Sequence, residues 1–157
     1  MPIYLKYDGI DGDVTAAGHE KWIELSSFQF GIGRSITSPT GKGCNREASA
    51  PSVSEVVVTK VTDGASCKLF QAALFGEGKT VKIDFCKTDK EKVEPYLSIT
   101  LSESLVSGHS TSSGGDRPSE SVTINYTKIE YKNIGMGAAN DTGSPEAASW
   151  DLAKISG

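Results

Sequence analysis

Two stretches of this chain alternate apolar and polar residues and then change phase. In Trp22-Ile23-Glu24-Leu25-Ser26-Ser27-Phe28-Gln29-Phe30-Gly31, the apolar residues Ile23 and Leu25 stand on odd positions, whereas Phe28 and Phe30 stand on even ones. Near the far end, Val122, Ile124 and Tyr126 alternate on even positions and Ile129 and Tyr131 on odd ones. Successive side chains of a strand point to opposite faces, so a change of parity carries the apolar set from one face to the other. A single sheet with one buried face does not tolerate this. Strands that bend, bulge or serve two sheets do. The pattern predicts a closed or orthogonal β-architecture with more than one surface to bury.

The 157 residues are the size of one domain. A domain of this length buries about 70% of its unfolded surface, enough for a core without staples. Hydrophobic content of 37% and 17 glycines suit an all-β protein with generous loops. The net charge of −4, from 16 basic and 20 acidic residues, argues against a nucleic-acid partner. No apolar run approaches the roughly 20 residues of a membrane-spanning helix. The N-terminus alternates Ile3, Leu5 and Tyr7 as a strand does, without the basic region and long apolar core of a signal peptide. The chain is therefore expected to fold in the cytoplasm and, if exported, to leave without a cleaved signal. Cys44, Cys67 and Cys86 give neither a disulfide framework nor a zinc pattern and read as buried or incidental thiols.

Along the chain, a first strand covers about Ile3 to Tyr7, followed by two Asp-Gly turn signals. The phase-shifted strand runs from about Lys21 to Phe30. The segment Gly31 to Ser54, rich in Gly, Ser, Pro and Thr, reads as a long loop. Loops of that length are usually functional or disordered, so it is the first candidate for contact with a partner. Val56-Val57-Val58-Thr59-Lys60-Val61 carries valine on both faces and reads as a central strand. One helix is predicted over Ser66 to Phe75. Ser66 would cap it, Gly76 would end it, and Leu69 with Ala73 and Phe70 with Leu74 would form its apolar stripe. Strands follow over Thr80 to Cys86 and Tyr96 to Leu105, separated by a solvated charged turn, Lys87 to Lys92. A polar loop is expected over Ser107 to Ser119, then the second phase-shifted strand over Val122 to Tyr131. Gly135 to Ser149 reads as a connection, and Trp150-Asp151-Leu152 as a short last strand.

A search for chemistry finds no motif. Gly31-Ile32-Gly33-Arg34-Ser35-Ile36 fails the dinucleotide fingerprint at its last position, and Gly41-Lys42-Gly43 lacks the rest of a P-loop. Asp8, Asp11 and Asp13 do not have EF-hand spacing: counted from Asp8, the twelfth place is His19 rather than Glu. His19 and His109 are the two imidazoles. Neither lies near a cysteine in sequence, and no nucleophile elbow is present. Each is expected to make a structural hydrogen bond or to sit on the surface. No catalytic, cofactor-binding or metal-ligating residue is assigned.

The order of several segments resembles a known family. Leu97-x-Ile99-x-Leu101 leads to a Ser/Gly loop ending Gly114-Gly115-Asp116-Arg117-Pro118, then Glu120-Ser121-Val122-Thr123-Ile124-Asn125-Tyr126. Gly18-His19-Glu20 precedes Trp22-Ile23-Glu24-Leu25 and Phe28-Gln29-Phe30-Gly31, Thr62-Asp63-Gly64-Ala65-Ser66 precedes the helix, and Trp150-Asp151-Leu152 stands near the end. Together, over the whole chain, these resemble the haemolysin-coregulated protein (Hcp) family, the tube subunits of bacterial type VI secretion. The resemblance implies a mainly β fold, a two-sheet β-barrel or orthogonal sandwich with one flanking short helix and a long extended loop, as one domain over residues 1–157 without a C-terminal toxin extension. It implies a structural subunit and not an enzyme. Hexameric rings stack into a hollow tube that a contractile sheath drives out of the cell behind a spike protein, with small effectors in the lumen and no cofactor. If Phe28 and Phe30 enter the core, Gln29 points the other way, and so do Thr123 and Asn125 beside Val122 and Ile124. In the family that outward face lines the lumen. Gly31 to Ser54 resembles the family's extended loop, which packs on an adjacent subunit or the next ring. Arg34, Ser35, Thr37, Lys42 and Arg46 are then its candidate contact residues. Cys44-Asn45-Arg46-Glu47 departs from the tube pattern. Two other readings stand beside this one: a monomeric barrel that binds a small molecule in a large apolar cavity, and a secreted hydrolytic effector.

Overall fold

The structure, a computed structural model, describes residues 1–34, 36–37, 47–48, 51–89, 92–134 and 146–154. Its strands are β1 (Ile3–Tyr7), β2 (Ile23–Leu25), β3 (Ser27–Gln29), β4 (Ile32–Gly33), β5 (Ile36–Thr37), β6 (Glu47–Ala48), β7 (Ser52–Val53) and β8 (Val56–Val61). Helix α1 (Ser66–Phe75) follows, then β9 (Lys79–Asp89), β10 (Lys92–Ser112), β11 (Ser119–Asn125), β12 (Lys128–Asn133) and β13 (Glu146–Asp151). A large sheet has the order β2-β1-β9-β10-β12-β13, and a small sheet the order β10-β11-β8-β3, all antiparallel.

Each phase change in the sequence is a point where the chain leaves one sheet for the other. What reads as one strand from Lys21 to Phe30 is two: β2 pairs with β1 in the large sheet, and β3 pairs with β8 in the small one. Ser26 and Ser27, at the switch, are both exposed. Ile23 and Leu25 are buried before it, and Phe28 and Phe30 are half-buried after it. The second case is the same in reverse. β11 pairs with β10 and β8, β12 pairs with β10 and β13, and Tyr126-Thr127 lies between them. The sheets are not closed into a barrel. The path of pairing begins at β2 and ends at β3, which are consecutive in the chain but share no ladder.

β10 carries both sheets in one strand of 21 residues. It does so by bending. Its register against β9 shifts between Pro95 and Leu97 and again between Leu101 and Ser104, and against β11 between Val106 and Gly108. Pro95 lacks the N–H that a continuous ladder needs, which suits it to an irregular position. Glu103 sits at the second shift with φ of 51°, in the left-handed region. The polar loop expected from Ser107 is therefore strand as far as Ser112, because serine and threonine pair there with β11. Likewise β9 continues through Lys87 to Asp89, and Lys87 is buried rather than part of a solvated turn. Glu146 to Ser149 belong to β13, not to a connection, and 135–145 lie outside the described residues. The expected loop Gly31 to Ser54 is laddered where it is described. β4 pairs with β7, and β5 with β6.

The core is mostly aliphatic, with Tyr7 and Tyr126 buried among the aliphatic residues. Leu5, Ile23, Leu25, Val56, Val58, Val81, Ile83, Ile99, Leu101, Val122 and Ile124 converge between the sheets, with Leu69 contributed by the helix. The helix departs from expectation in two ways. Its N-cap is Ala65. Ser66 is the first helical residue, and its Oγ accepts from Asp63 N–H at 3.0 Å. Its second apolar pair faces out: Phe70 and Leu74 are exposed, because the helix turns its Leu69 side to the core between the sheets. Gly76 ends the helix for reasons of space. Its φ is −57°, but a Cβ would stand 2.4 Å from the Ala72 carbonyl oxygen, which accepts the Gly76 N–H.

Candidate functional site

The outward face of the small sheet is the surface on which the expected residues meet. Cross-strand register sets its side chains in rows. One row is Gln29, Val57, Thr123 and Gly108, contributed by β3, β8, β11 and β10. The next is Ser27, Thr59, Ser121 and Ser110. Beyond them lie Val61, Ser119 and Ser112 on one side, and Asn125 with Leu105 on the other. None of these residues is charged. Hydroxyls bond along the rows, Ser27 Oγ to Thr59 Oγ1 and Ser112 Oγ to Ser119 Oγ at 3.4 Å. The outward face of the large sheet is different in kind. Its rows carry Lys6, Lys82 and Glu130, and Glu24, Asp84 and Lys132.

Gln29 and Asn125 are exposed and Thr123 is half-buried among its row neighbours. All three lie on this one face, and Gln29 and Thr123 share a row. Asn125 also turns back on the chain, its Oδ1 accepting the Tyr126 N–H at 2.8 Å. The sequence reading did not name Ser27, Thr59, Ser121 or Ser110. The signal for them was the same period of two, carried through β8 and through the part of β10 that reads as loop. Of the candidate loop residues, Arg34 is exposed at the end of the first described stretch, and Thr37 pairs with Glu47. Ser35, Lys42 and Arg46 lie outside the described residues.

Behind this face, a buried polar network joins the small sheet to the helix. Lys60 Nζ lies 2.8 Å from Glu120 Oε2 and 2.9 Å from Asp63 Oδ1, and also donates to Ser66 Oγ and the Val61 carbonyl. Glu120 accepts further bonds from Ser66 Oγ and from His109 Nε2, the latter at 2.7 Å. Burial alone would raise the Glu120 carboxyl. The hydrogen bonds from Lys60, Ser66 and His109 and the Lys60 charge outweigh it and hold the carboxyl below the usual range. Tyr126 anchors the base of the long excursion, donating from its hydroxyl to the Ser54 carbonyl at 2.7 Å. Burial pushes its ionisation up to about 12.

His19 lies against the large sheet's outward face, buried between Tyr4 and Trp22, with Nε2 2.9 Å from Asp84 Oδ2. Ser98 Oγ donates to the other oxygen of Asp84 at 2.7 Å. Cys86 Sγ is 3.8 Å from the same Nε2. Sequence separation hid this Cys, His and Asp grouping, but its geometry does not make a nucleophile. A carboxylate can only accept, so Nε2 carries the hydrogen and offers the thiol no base. Burial and the nearby Asp84 push the Cys86 thiol up to about 11, away from the thiolate that nucleophilic attack needs. Both histidines thus make the structural hydrogen bonds expected of them. The other thiol described, Cys67, is exposed on the helix.

The interior is packed. A void of about 10 Å³ is bounded by Leu5, Leu25, Lys60, Leu69 and Ile124 among others. Ligand cavities run to about 300–1,000 Å³, so this space does not hold a small molecule.

Known proteins share this fold. The profile of the family described as "Type VI secretion system effector, Hcp" matches residues 4–132. "Protein hcp1" of Pseudomonas aeruginosa is 33% identical over 105 residues, and the alignment covers 64% of this chain and 64% of that one, just under two thirds of its length. A solved structure described as a type six secretion system protein superposes with a TM-score of 0.88 at 29% identity, over 98% of this chain and 97% of that chain. Hcp1 from Salmonella typhimurium has the same fold, with a TM-score of 0.79 at 24% identity over 98% and 95% of the two chains. The profile spans both sheets, both strand switches and the helix, so the chain belongs to the Hcp family of type VI secretion proteins.

Proposed function

We propose that this protein is a structural subunit of the type VI secretion tube. Six copies close a ring with the outward face of the small sheet turned to the lumen, rings stack into a hollow tube, and sheath contraction exports the tube with its spike. Small effectors travel in the lumen against Gln29, Ser27, Thr59, Ser121, Thr123 and Asn125. The segment Gly31 to Ser54, with Arg34, Ser35, Thr37, Lys42 and Arg46, meets the neighbouring ring. The observation that carries this reading is the contrast between the two faces. A wall that must pass varied cargo without holding it suits short uncharged side chains, and the small sheet presents these while the large sheet presents charge to solvent. Function then rests on a surface and not on a catalytic group.

The test combines mass with access. Native mass spectrometry of the purified protein should give a hexamer. In assembled rings, Gln29→Cys should react with a small maleimide but be shielded from a maleimide on a long polymer, whereas Lys82→Cys should react with both. A chain that stays monomeric at high concentration, or equal labelling of the two positions by the polymer, contradicts the reading.

A further inference from the structure

The chain pairs aspartate with a following glycine at Asp8-Gly9, Asp11-Gly12 and Asp63-Gly64. Such a pair has a chemistry of its own. The glycine nitrogen can attack the side-chain carboxyl carbon of the aspartic acid before it, because no side chain crowds the approach. An N–Cγ bond forms and the Cγ–OH bond breaks, and the amide proton leaves with the hydroxyl as water. The product is a five-membered succinimide. Water then opens the ring at one of its two carbonyls. Cleavage at Cγ restores aspartate. Cleavage at the backbone carbonyl leaves isoaspartate, whose main chain runs through the former side chain. One water is released and one is taken up, and no oxidant or second protein takes part.

The fold treats the three pairs differently. At Asp11-Gly12, the Gly12 N–H donates to the Lys21 carbonyl at 2.7 Å, and the Asp11 carboxylate is paired with Lys6 at 3.3 Å. At Asp63-Gly64, the Gly64 N–H donates to Asp13 Oδ2 at 3.1 Å, and Asp63 Oδ1 accepts from Lys60 Nζ and the Ala65 N–H, both at 2.9 Å. Asp8 and Gly9 are the central residues of a turn that the Ile10 N–H closes on the Tyr7 carbonyl at 3.0 Å. Both are exposed, and Gly9 has φ of 84°. Among the described residues, neither the Gly9 N–H nor the Asp8 carboxylate has a hydrogen bond or an ion pair.

We infer that Asp8-Gly9 is the site at which the folded chain isomerises to isoaspartate, and that the fold protects the other two pairs. Attack requires the nitrogen and the carboxyl to be free of other partners. At Asp11 and Asp63 both groups are held, and those bonds must break first, so Asp8 should lead each of them by roughly tenfold. The change has a structural cost. Isoaspartate adds one carbon to the main chain inside a four-residue turn. The Ile10 N–H then no longer meets the Tyr7 carbonyl, and Ile10 is a buried core residue. The isomerised chain should therefore melt below the unmodified one.

The test ages the full-length folded protein in mildly acidic buffer at physiological temperature, beside the same chain in chemical denaturant. Each sample is digested, and the aspartate and isoaspartate forms of the three peptides are told apart by electron-transfer fragmentation. In the folded protein, isoaspartate at Asp8 should exceed that at Asp11 or Asp63 by roughly tenfold, the slowing expected from the bonds that hold the other two. In denaturant the three should differ much less. Asp8→Glu, at an exposed position, would need a six-membered ring to react, so it should keep the wild-type melt and lose the signal at that position. Folded protein in which Asp11 or Asp63 keeps pace with Asp8, or in which Asp8 stays unmodified while the denatured chain reacts, overturns the inference. So does a denatured chain that favours Asp8 by the same factor, since the preference would then lie in the local sequence and not in the fold.

Discussion

Lys60 and Glu120 face each other inside the molecule, and the helix is tied to the small sheet through them. Each is almost fully buried, so neither charge has water to fall back on. Glu120→Gln leaves the Lys60 ammonium with Asp63 as its remaining carboxylate, and is expected to destabilise the fold by about 3 kcal/mol in chemical denaturation, since breaking a buried pair strands the other charge. The pH dependence follows from the direction of the shift. The Glu120 carboxyl is held below its unfolded value of about 4.3, so its stabilisation is complete above that pH and is lost as pH falls through the lower, native value. Melting midpoints of the wild type should therefore drop more steeply below about pH 4 than those of Glu120→Gln. A parallel pair of curves would show that Glu120 is not the group titrating.

At the scale of elements, the long strand β10 does what the phase changes announced, and it does so at Glu103. A non-glycine residue in the left-handed region is strained by about 1–2 kcal/mol, and branching at Cβ adds to it. Glu103→Val should destabilise by about 1–2 kcal/mol, and Glu103→Gly should not. A denaturation midpoint unchanged by valine would mean that the bend relaxes elsewhere. The excursion from β3 to β8 is a different kind of element. Its base is held by β4 pairing with β7 and by the Tyr126 hydroxyl on Ser54, both outside Thr37 to Ala50. Deletion of Thr37 to Ala50 should therefore leave a folded chain and weaken the stacking of rings. Sizing and electron microscopy would show this as single rings where wild type makes tubes, and unchanged tubes would refute it.

At the scale of the whole molecule, the uncharged face of the small sheet has an electrostatic consequence. Thr123→Asp would put one carboxylate on that face in every copy. If the face lines a ring, six carboxylates meet across the lumen and repel. Assembly of Thr123→Asp should then be weaker than wild type at about 0.01 M salt and recover toward it near 0.15 M, where the Debye length falls to about 8 Å. Native mass measured at both ionic strengths checks this. A variant that assembles like wild type at low salt places Thr123 away from the lumen.

Period-two parity alone determined that this chain has more than one surface to bury. It also placed Gln29 on the face opposite Phe28 and Phe30, and Thr123 and Asn125 opposite Val122 and Ile124, because the backbone forces successive side chains apart wherever it is extended. The sequence also placed one helix and left each histidine either a structural hydrogen bond or a surface position. It did not show that Ser107 to Ser112 are strand, since serines and threonines that pair with a neighbouring strand look like loop residues until that neighbour is known. Nor did it show which side of the helix is buried: Leu69 and Phe70 are both apolar, and only the packing of the helix against the core decides between them. The Cys86, His19 and Asp84 grouping and the Lys60, Glu120 and His109 network join residues far apart in the chain, so nothing local encodes them. The row of Gln29, Val57, Thr123 and Gly108 was likewise beyond the sequence. Parity assigns each residue to a face of its own strand, but the register that brings four strands into one row is set by tertiary pairing.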